Sequence, residues 1–190
     1  MSSTSDTPRP ARVDNGPDLK VLADQWSARL DGLDVRPFAV ASSAVRLGLL
    51  IERRFAELAR QEHGLRPGDL RVLLALRRSG PKQALSPTEL FRTLMVTSGA
   101  VSKQVDSLEK EGLVTRVADP EILRGLLVRL EPAGADIADA TMETICRDFC
   151  GITDLSDEQL DDTLDVLTDL LARVEDRSAD AERDQRRERA

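Results

Sequence analysis

The sequence predicts a mainly α fold, with two short helices and a β-hairpin set between longer N- and C-terminal helices. Three observations carry this expectation. Apolar residues recur at three- and four-residue steps through most of the chain, the period of a helix with one buried face. Aromatic residues make up only 3% of the 190 residues against 41% hydrophobic overall, so the core is built from Leu, Val, Ile and Ala, which suits helices packed on helices. Between Ser86 and Leu130 the long-helix rhythm gives way to short elements with sharp start and stop signals. A chain of this length buries one sizeable core.

Residues 1–16 are rich in Ser, Thr, Pro and Asp without periodicity and read as a flexible tail. A helix is expected from Pro17 to about Leu30, with Leu19, Leu22, Trp26 and Leu30 on one side, interrupted by Gly32 and Pro37. A long helix follows to Glu62, on the stripe Val40, Ala44, Leu47, Ile51, Phe55 and Leu58, and Gly64 stops it. A shorter one, Pro67 to Arg78, carries Leu70, Leu73 and Leu74 and ends before Gly80-Pro81. Ser86 then supplies an N-cap, Pro87 fits the first helical position, and Glu89 stands three after the cap, the grammar of a capping box. That helix ends near Met95. Thr97 or Ser98 caps the next, which runs to about Glu111 with Val101, Val105 and Leu108 inward. Two short helices joined by so tight a turn make a helix-turn-helix.

Gly112 ends the second helix, Leu113–Val117 reads as a strand, Asp119-Pro120 opens a turn with Gly125 near its end, and Leu126–Leu130 reads as the returning strand. A hairpin directly behind a helix-turn-helix is a wing. Pro132 begins a helix bearing Ala138, Met142, Ile145, Phe149 and Ile152, and Ser156 caps a last one bearing Leu160, Leu164, Leu167, Leu171 and Val174. The four-three step of these stripes is that of a coiled-coil seam. The expected division is therefore residues 17–64 as N-terminal helices (dimer base and pocket wall), 65–131 as winged helix-turn-helix, 132–176 as C-terminal dimerisation helices, and 177–190 as a frayed charged tail.

Net charge is −7, but its distribution is uneven. Between Arg71 and Leu130 ten basic residues face six acidic ones, so this stretch is positive and the rest of the chain carries the acidic excess. A basic island in an acidic chain presents a local positive face to phosphate. No apolar run approaches the roughly eighteen residues that span a bilayer, and the first residues lack the order of a secretory signal, so a cytoplasmic chain without a membrane partner is expected. Cys146 and Cys150 lie four apart on an expected helix, as small apolar fillers near a helix contact or as a thiol switch. The single histidine, His63, sits beside the glycine ending a long helix and reads as a solvated imidazole. No HExxH, CxxC, phosphate-cradling glycine loop or nucleophile elbow is present, so neither an enzyme, a metal site nor a cofactor is expected.

The second helix of a helix-turn-helix lies in the DNA major groove with its N-terminal residues nearest the bases. Here these are Thr97, Ser98, Ser102, Lys103 and Gln104, taken to lie opposite Val101, Val105 and Leu108. Hydroxyls at the helix start bond phosphates, an amide such as that of Gln104 pairs with adenine, and Lys103 reaches a guanine edge or a phosphate. Arg124 near the wing tip fits a narrow minor groove, and Arg92 and Arg116 are further phosphate candidates or plain surface charge. The competing reading is a winged-helix protein-interaction module that no longer binds DNA and works through Ile122, Leu123 and its dimer base.

The segment "LSPTELFRTLMVTSGAVSKQVDSLEKEGLVTRV", followed by "DPEILRGLLVRLEPAG", resembles the MarR family of multiple-antibiotic-resistance-type regulators through helix-turn-helix and wing. "ADQWSARL" and "GDLRVLLALRRSG" look like the subgroup with an added N-terminal helix that responds to urate or related purines. The resemblance implies a homodimer, a palindromic operator on double-stranded DNA, repression, and release by a small-molecule effector. It further implies a pocket lined by a Trp, an Asp and two Arg. Trp26 and Arg116 match the Trp and the second Arg, while Arg71 stands at the Asp position and Gln104 at the first Arg. That reversal of charge points away from urate and towards another effector. At the wing, Ile122 and Leu123 replace the family's common Asp and Arg, so Arg124 lacks its usual acidic partner.

Overall fold

The computed structural model describes residues 18–30, 32–94 and 97–188. The expected tail at residues 1–16 lies outside them. The chain divides into two units, Met1–Phe55 and Ala56–Ala190.

The first unit holds α1 (Leu19–Ser27) and most of α2 (Arg36–His63). Asp18 caps α1 by accepting the Lys20 N–H at 2.9 Å, and Gly32, at φ +75°, sits in the connection where a side chain would be strained. The Trp26 and Phe38 rings meet edge to face with centroids 6.3 Å apart. Much of this unit's apolar surface is nonetheless exposed: Leu30, Leu33, Val40, Val45, Leu47 and Leu49 all face solvent within the chain. The α2 stripe is therefore not one buried face. Val40 and Leu47 are exposed, and only at Phe55 and Leu58 does the stripe enter a core.

The second unit contains α3 (Pro67–Arg77), β1 (Ala84–Leu85), α4 (Pro87–Leu94), α5 (Ser98–Lys110), β2 (Val114–Ala118), β3 (Leu126–Leu130), α6 (Pro132–Arg147), a 3₁₀ turn at Ile152–Asp154 and α7 (Asp157–Glu188). Leu70, Leu73 and Leu76 of α3, Leu90 of α4, and Val101, Val105 and Leu108 of α5 bury completely or nearly so, with Val114 and Val128 closing the core from the sheet. The sheet is antiparallel in the order β1-β3-β2, with Arg116 opposite Val128 and Ala84 opposite Arg129. The helix-turn-helix and the wing thus form as expected, with β1 as an addition to the two-stranded hairpin.

The C-terminal half departs from expectation at three places. Helix α6 stops at Arg147, so Phe149 and Cys150 are not helical and Ile152 opens the separate 3₁₀ turn; Cys150 adopts φ +61° and Gly151 φ +70°, which turns the chain back. Cys146 and Cys150 are both exposed within the chain, not buried fillers, and only Cys146 lies on the helix. Helix α7, opened by Ser156 and Gln159 exchanging backbone N–H bonds (3.0 and 3.3 Å), continues to Glu188 through the supposed frayed tail from Arg177. No Gly or Pro interrupts it, and pairs such as Arg173–Asp169 (2.8 Å) and Arg183–Asp180 (3.1 Å) suit a solvated helix. Leu164, Val166, Leu171 and Val174 on it are more than half exposed.

His63 is also not merely solvated. Thr141, fully buried on α6, donates its hydroxyl to the Ile137 carbonyl (2.8 Å), which leaves its oxygen to accept from His63 Nε2 at 3.0 Å. Arg77 joins α3 to α6 through two bonds of 2.7 Å to Asp139. Among the described residues no helix is long and apolar enough to cross a membrane.

Candidate nucleic-acid interface

The capping box at α4 is complete. Ser86 N–H donates to Glu89 Oε2 at 2.7 Å, and Glu89 N–H returns a bond to Ser86 Oγ at 3.2 Å. These bonds, the backbone one foremost, hold the Glu89 carboxyl below the usual carboxylate range. Residues 95 and 96, including the expected helix end at Met95, lie outside the described residues. Thr97 caps α5, accepting the Ala100 N–H on Oγ1 at 3.3 Å. Ser98 is the first residue of α5, and its side chain lies outside the described set.

Burial of Val101, Val105 and Leu108 decides which side of α5 faces out. Thr97, Ser102 and Lys103 are exposed, and Lys103 has no ion pair among the described residues. Gln104 is a correction. Three residues after Val101 and four before Leu108, it lies beside the apolar stripe and turns inward, half-buried, against α3. A Cβ placed on Gly68 would come within 2.2 Å of its Nε2, and its Oε1 is buried without a hydrogen-bond partner. Gln104 is thus packed under the reading helix and does not stand on its outer face.

Arg116 is also committed. From β2 it donates through Nη2 to Asp106 Oδ1 at 2.6 Å and through Nη1 to Glu109 Oε2, while its backbone N–H donates to Glu109 Oε1 at 3.1 Å. Asp106, then Glu109, raise its already high pKa. The side chain clamps β2 to α5; it is neither an open ligand-binding cation nor simple surface charge. Asp106 and Glu109 were missed as partners, although their i,i+3 spacing just before the strand places them within reach of it. Asp69 was missed too: it is buried at the start of α3 and accepts from Arg66 Nε at 2.8 Å.

Arg92 is exposed on α4, Arg124 is exposed at the wing tip at φ +63°, and Arg71 is half-buried on α3. Trp26 belongs to the first unit, where it lines, with Gln25, Ala28 and Arg29, an open depression of about 730 Å³. Among the described residues no cluster of three or more His, Cys, Asp or Glu could hold a metal ion.

Comparison with known proteins agrees with this architecture. A family model described as "MarR family" matches residues 63–125, the stretch from the last turn of α2 to the wing. The transcriptional regulator PecS of Dickeya dadantii is 26% identical over 122 residues, covering 64% of this chain and 73% of PecS. Over residues 63–125 the chain is similar to the MarR family. The chain is also 36% identical over 69 residues to the multiple antibiotic resistance protein MarR of Salmonella typhimurium, an alignment spanning 36% of the chain and less than half, 46%, of that relative. In fold it is similar to Sco3205, a MarR family regulator from Streptomyces coelicolor solved in complex with DNA: TM-score 0.61, 24% identity, 75% of this chain and 89% of that one. The matched winged helix-turn-helix is the part whose packing is described above.

Proposed function

We infer that this chain is a MarR-family DNA-binding transcription regulator that acts as a homodimer on a palindromic operator, as a repressor in the cytoplasm, and responds to a small molecule. One observation carries the reading. Helix α5 rests on a buried apolar stripe and turns Thr97, Ser102 and Lys103 outward at its N-terminal end, with Lys103 in no ion pair among the described residues. That is the arrangement a recognition helix needs in a major groove, with the helix N-terminus and hydroxyls towards phosphates and a cation towards base edges. The names of PecS and of the DNA complex of Sco3205 support the same direction.

Dimerisation supplies two such helices. The exposed apolar residues of α1, α2 and α7 suit burial against a second copy. Two recognition helices about 34 Å apart meet successive major grooves, and an effector that prefers another spacing shifts the population away from the DNA-competent state. The effector's chemistry differs from urate, because Arg71 and Gln104 stand where the resembled subgroup has an Asp and an Arg.

Selection of bound duplexes from random DNA, followed by footprinting, tests the assignment. An inverted repeat is expected, and Lys103→Ala should weaken it by roughly tenfold, an interaction of about 1–3 kcal/mol. Recovery of no preferred duplex contradicts the reading.

A further inference from the structure

We propose that the wing tip is an apolar wedge for the DNA minor groove, with Leu123 entering between base steps while Arg124 lies in the groove beside it. The inference rests on the DNA-binding reading above and adds a local deformation of the duplex to it.

The loop between β2 and β3 is built to hold these side chains outward. Asp119 N–H donates to the Gly125 carbonyl (2.9 Å), Gly125 N–H donates to the Ile122 carbonyl (2.8 Å), and Glu121 N–H donates to Asp119 Oδ1 (2.8 Å). A Cβ on Gly125 would stand 2.9 Å from the Ile122 carbonyl oxygen and 2.9 Å from the Asp119 Cβ, so the loop closes tightly and leaves no inward room at its apex. At that apex Ile122 is 60% and Leu123 94% exposed, and Arg124 follows in the left-handed region at φ +63°. A loop with three internal hydrogen bonds thus keeps a leucine almost wholly in water next to a second apolar side chain.

Charge decides the occupant. The Asp119 carboxylate is engaged by the Glu121 N–H, and the Glu121 carboxylate pairs with Lys82 at 3.2 Å. Arg124 has no hydrogen bond or ion pair among the described residues. The apex therefore presents an unneutralised cation beside apolar side chains, with both nearby carboxylates held by other groups. A duplex answers both features: its minor groove concentrates negative potential, and its base steps admit Leu or Ile wedges. An apolar protein groove would accept Leu123 but leave the guanidinium to be desolvated without a partner. The wing is also continuous with the reading head, because Arg116 ties β2 to α5.

The test uses the full chain and a duplex it selects from random DNA, resynthesised with 2-aminopurine at A·T steps flanking each half-site and with end labels for energy transfer. Binding of the parent protein should raise 2-aminopurine fluorescence at one flanking step and shorten the end-to-end distance. Leu123→Ala should abolish both signals and weaken binding by roughly three- to tenfold, while Leu123→Met keeps them. The high exposure of Leu123 means that the variants should melt like the parent, which a thermal scan checks. Unchanged signals in Leu123→Ala, or their absence in the bound parent, overturn the wedge while DNA binding stands, and assign the wing tip to a protein partner instead. Absence of salt-sensitive binding to any duplex overturns the underlying reading and the wedge with it.

Discussion

Arg116 connects the recognition helix to the wing with one side chain, and its partners decide what its loss would do. Asp106 and Glu109 both belong to α5, so the guanidinium sets the angle between helix and hairpin. Removing it leaves two neighbouring carboxylates repelling each other on one helix face. Arg116→Ala should cost about 1 kcal/mol in urea denaturation, a modest figure because all three groups are partly exposed. A double-mutant cycle with Asp106→Asn should show coupling; additive losses would mean that the clamp is idle. Gln104 and Gly68 form a second coupled pair. Gly68→Ala gains up to about 1 kcal/mol of helix propensity but pushes the Gln104 amide aside, so it should be near neutral alone and stabilising only with Gln104→Ala. Glu89 gives a pH signature. Its folded carboxyl lies below its ordinary value, so its contribution is full above the unfolded pKa and is lost as pH falls through the lowered one. Glu89→Gln, which keeps the capping geometry, should flatten that acid limb in denaturation curves taken from neutral to acid pH.

At the scale of elements, the sequence was most legible where punctuation and burial agree. Ser86-Pro87 with Glu89, Thr97, Gly112 and Pro132 each mark a boundary that local backbone chemistry enforces, and each stands within a residue of its expected place. Strand β1 was not legible, because two residues show no alternation; Ala84 and Leu85 become a strand only by pairing with Arg129 and Val128. The end of α6 was missed because the three-four stripe persists past Arg147, whereas the backbone turns at Cys150 and Gly151. The supposed tail was misread because charge was taken for fraying, although Arg, Glu and Ala are good helix formers. Within the candidate site, the outer face of α5 was legible except at Gln104, whose inward position follows from its angular proximity to Leu108. Packing between α6 and the sheet yields a sharp prediction. A Cβ on buried Gly134 would sit 2.4 Å from the Leu113 carbonyl oxygen and 2.9 Å from Leu130 Cδ1, and the first of these is backbone that has little room to yield. Gly134→Ala should destabilise by about 1–3 kcal/mol through overpacking, despite its better helix propensity; an unchanged melting curve would show that α6 slides freely.

For the molecule as a whole, the distribution of apolar surface supports a second copy. Leu164 and Leu171 of α7 project into water at 63% and 61% exposure, on a helix otherwise rich in charge. On the proposed homodimer, Leu164→Glu combined with Leu171→Glu should shift the protein towards monomer in sedimentation experiments, leaving helix content unchanged; no shift would contradict a dimer contact through α7. The net charge of −7 makes DNA binding a local property of the basic stretch and not of the whole surface. Fluorescence anisotropy of a labelled duplex across a salt series tests this most directly. Binding should be tight at low salt and fall linearly in log–log form as counterions are restored, with a shallower slope for Arg124→Ala. Failure of the parent protein to bind any duplex even at low salt would contradict it.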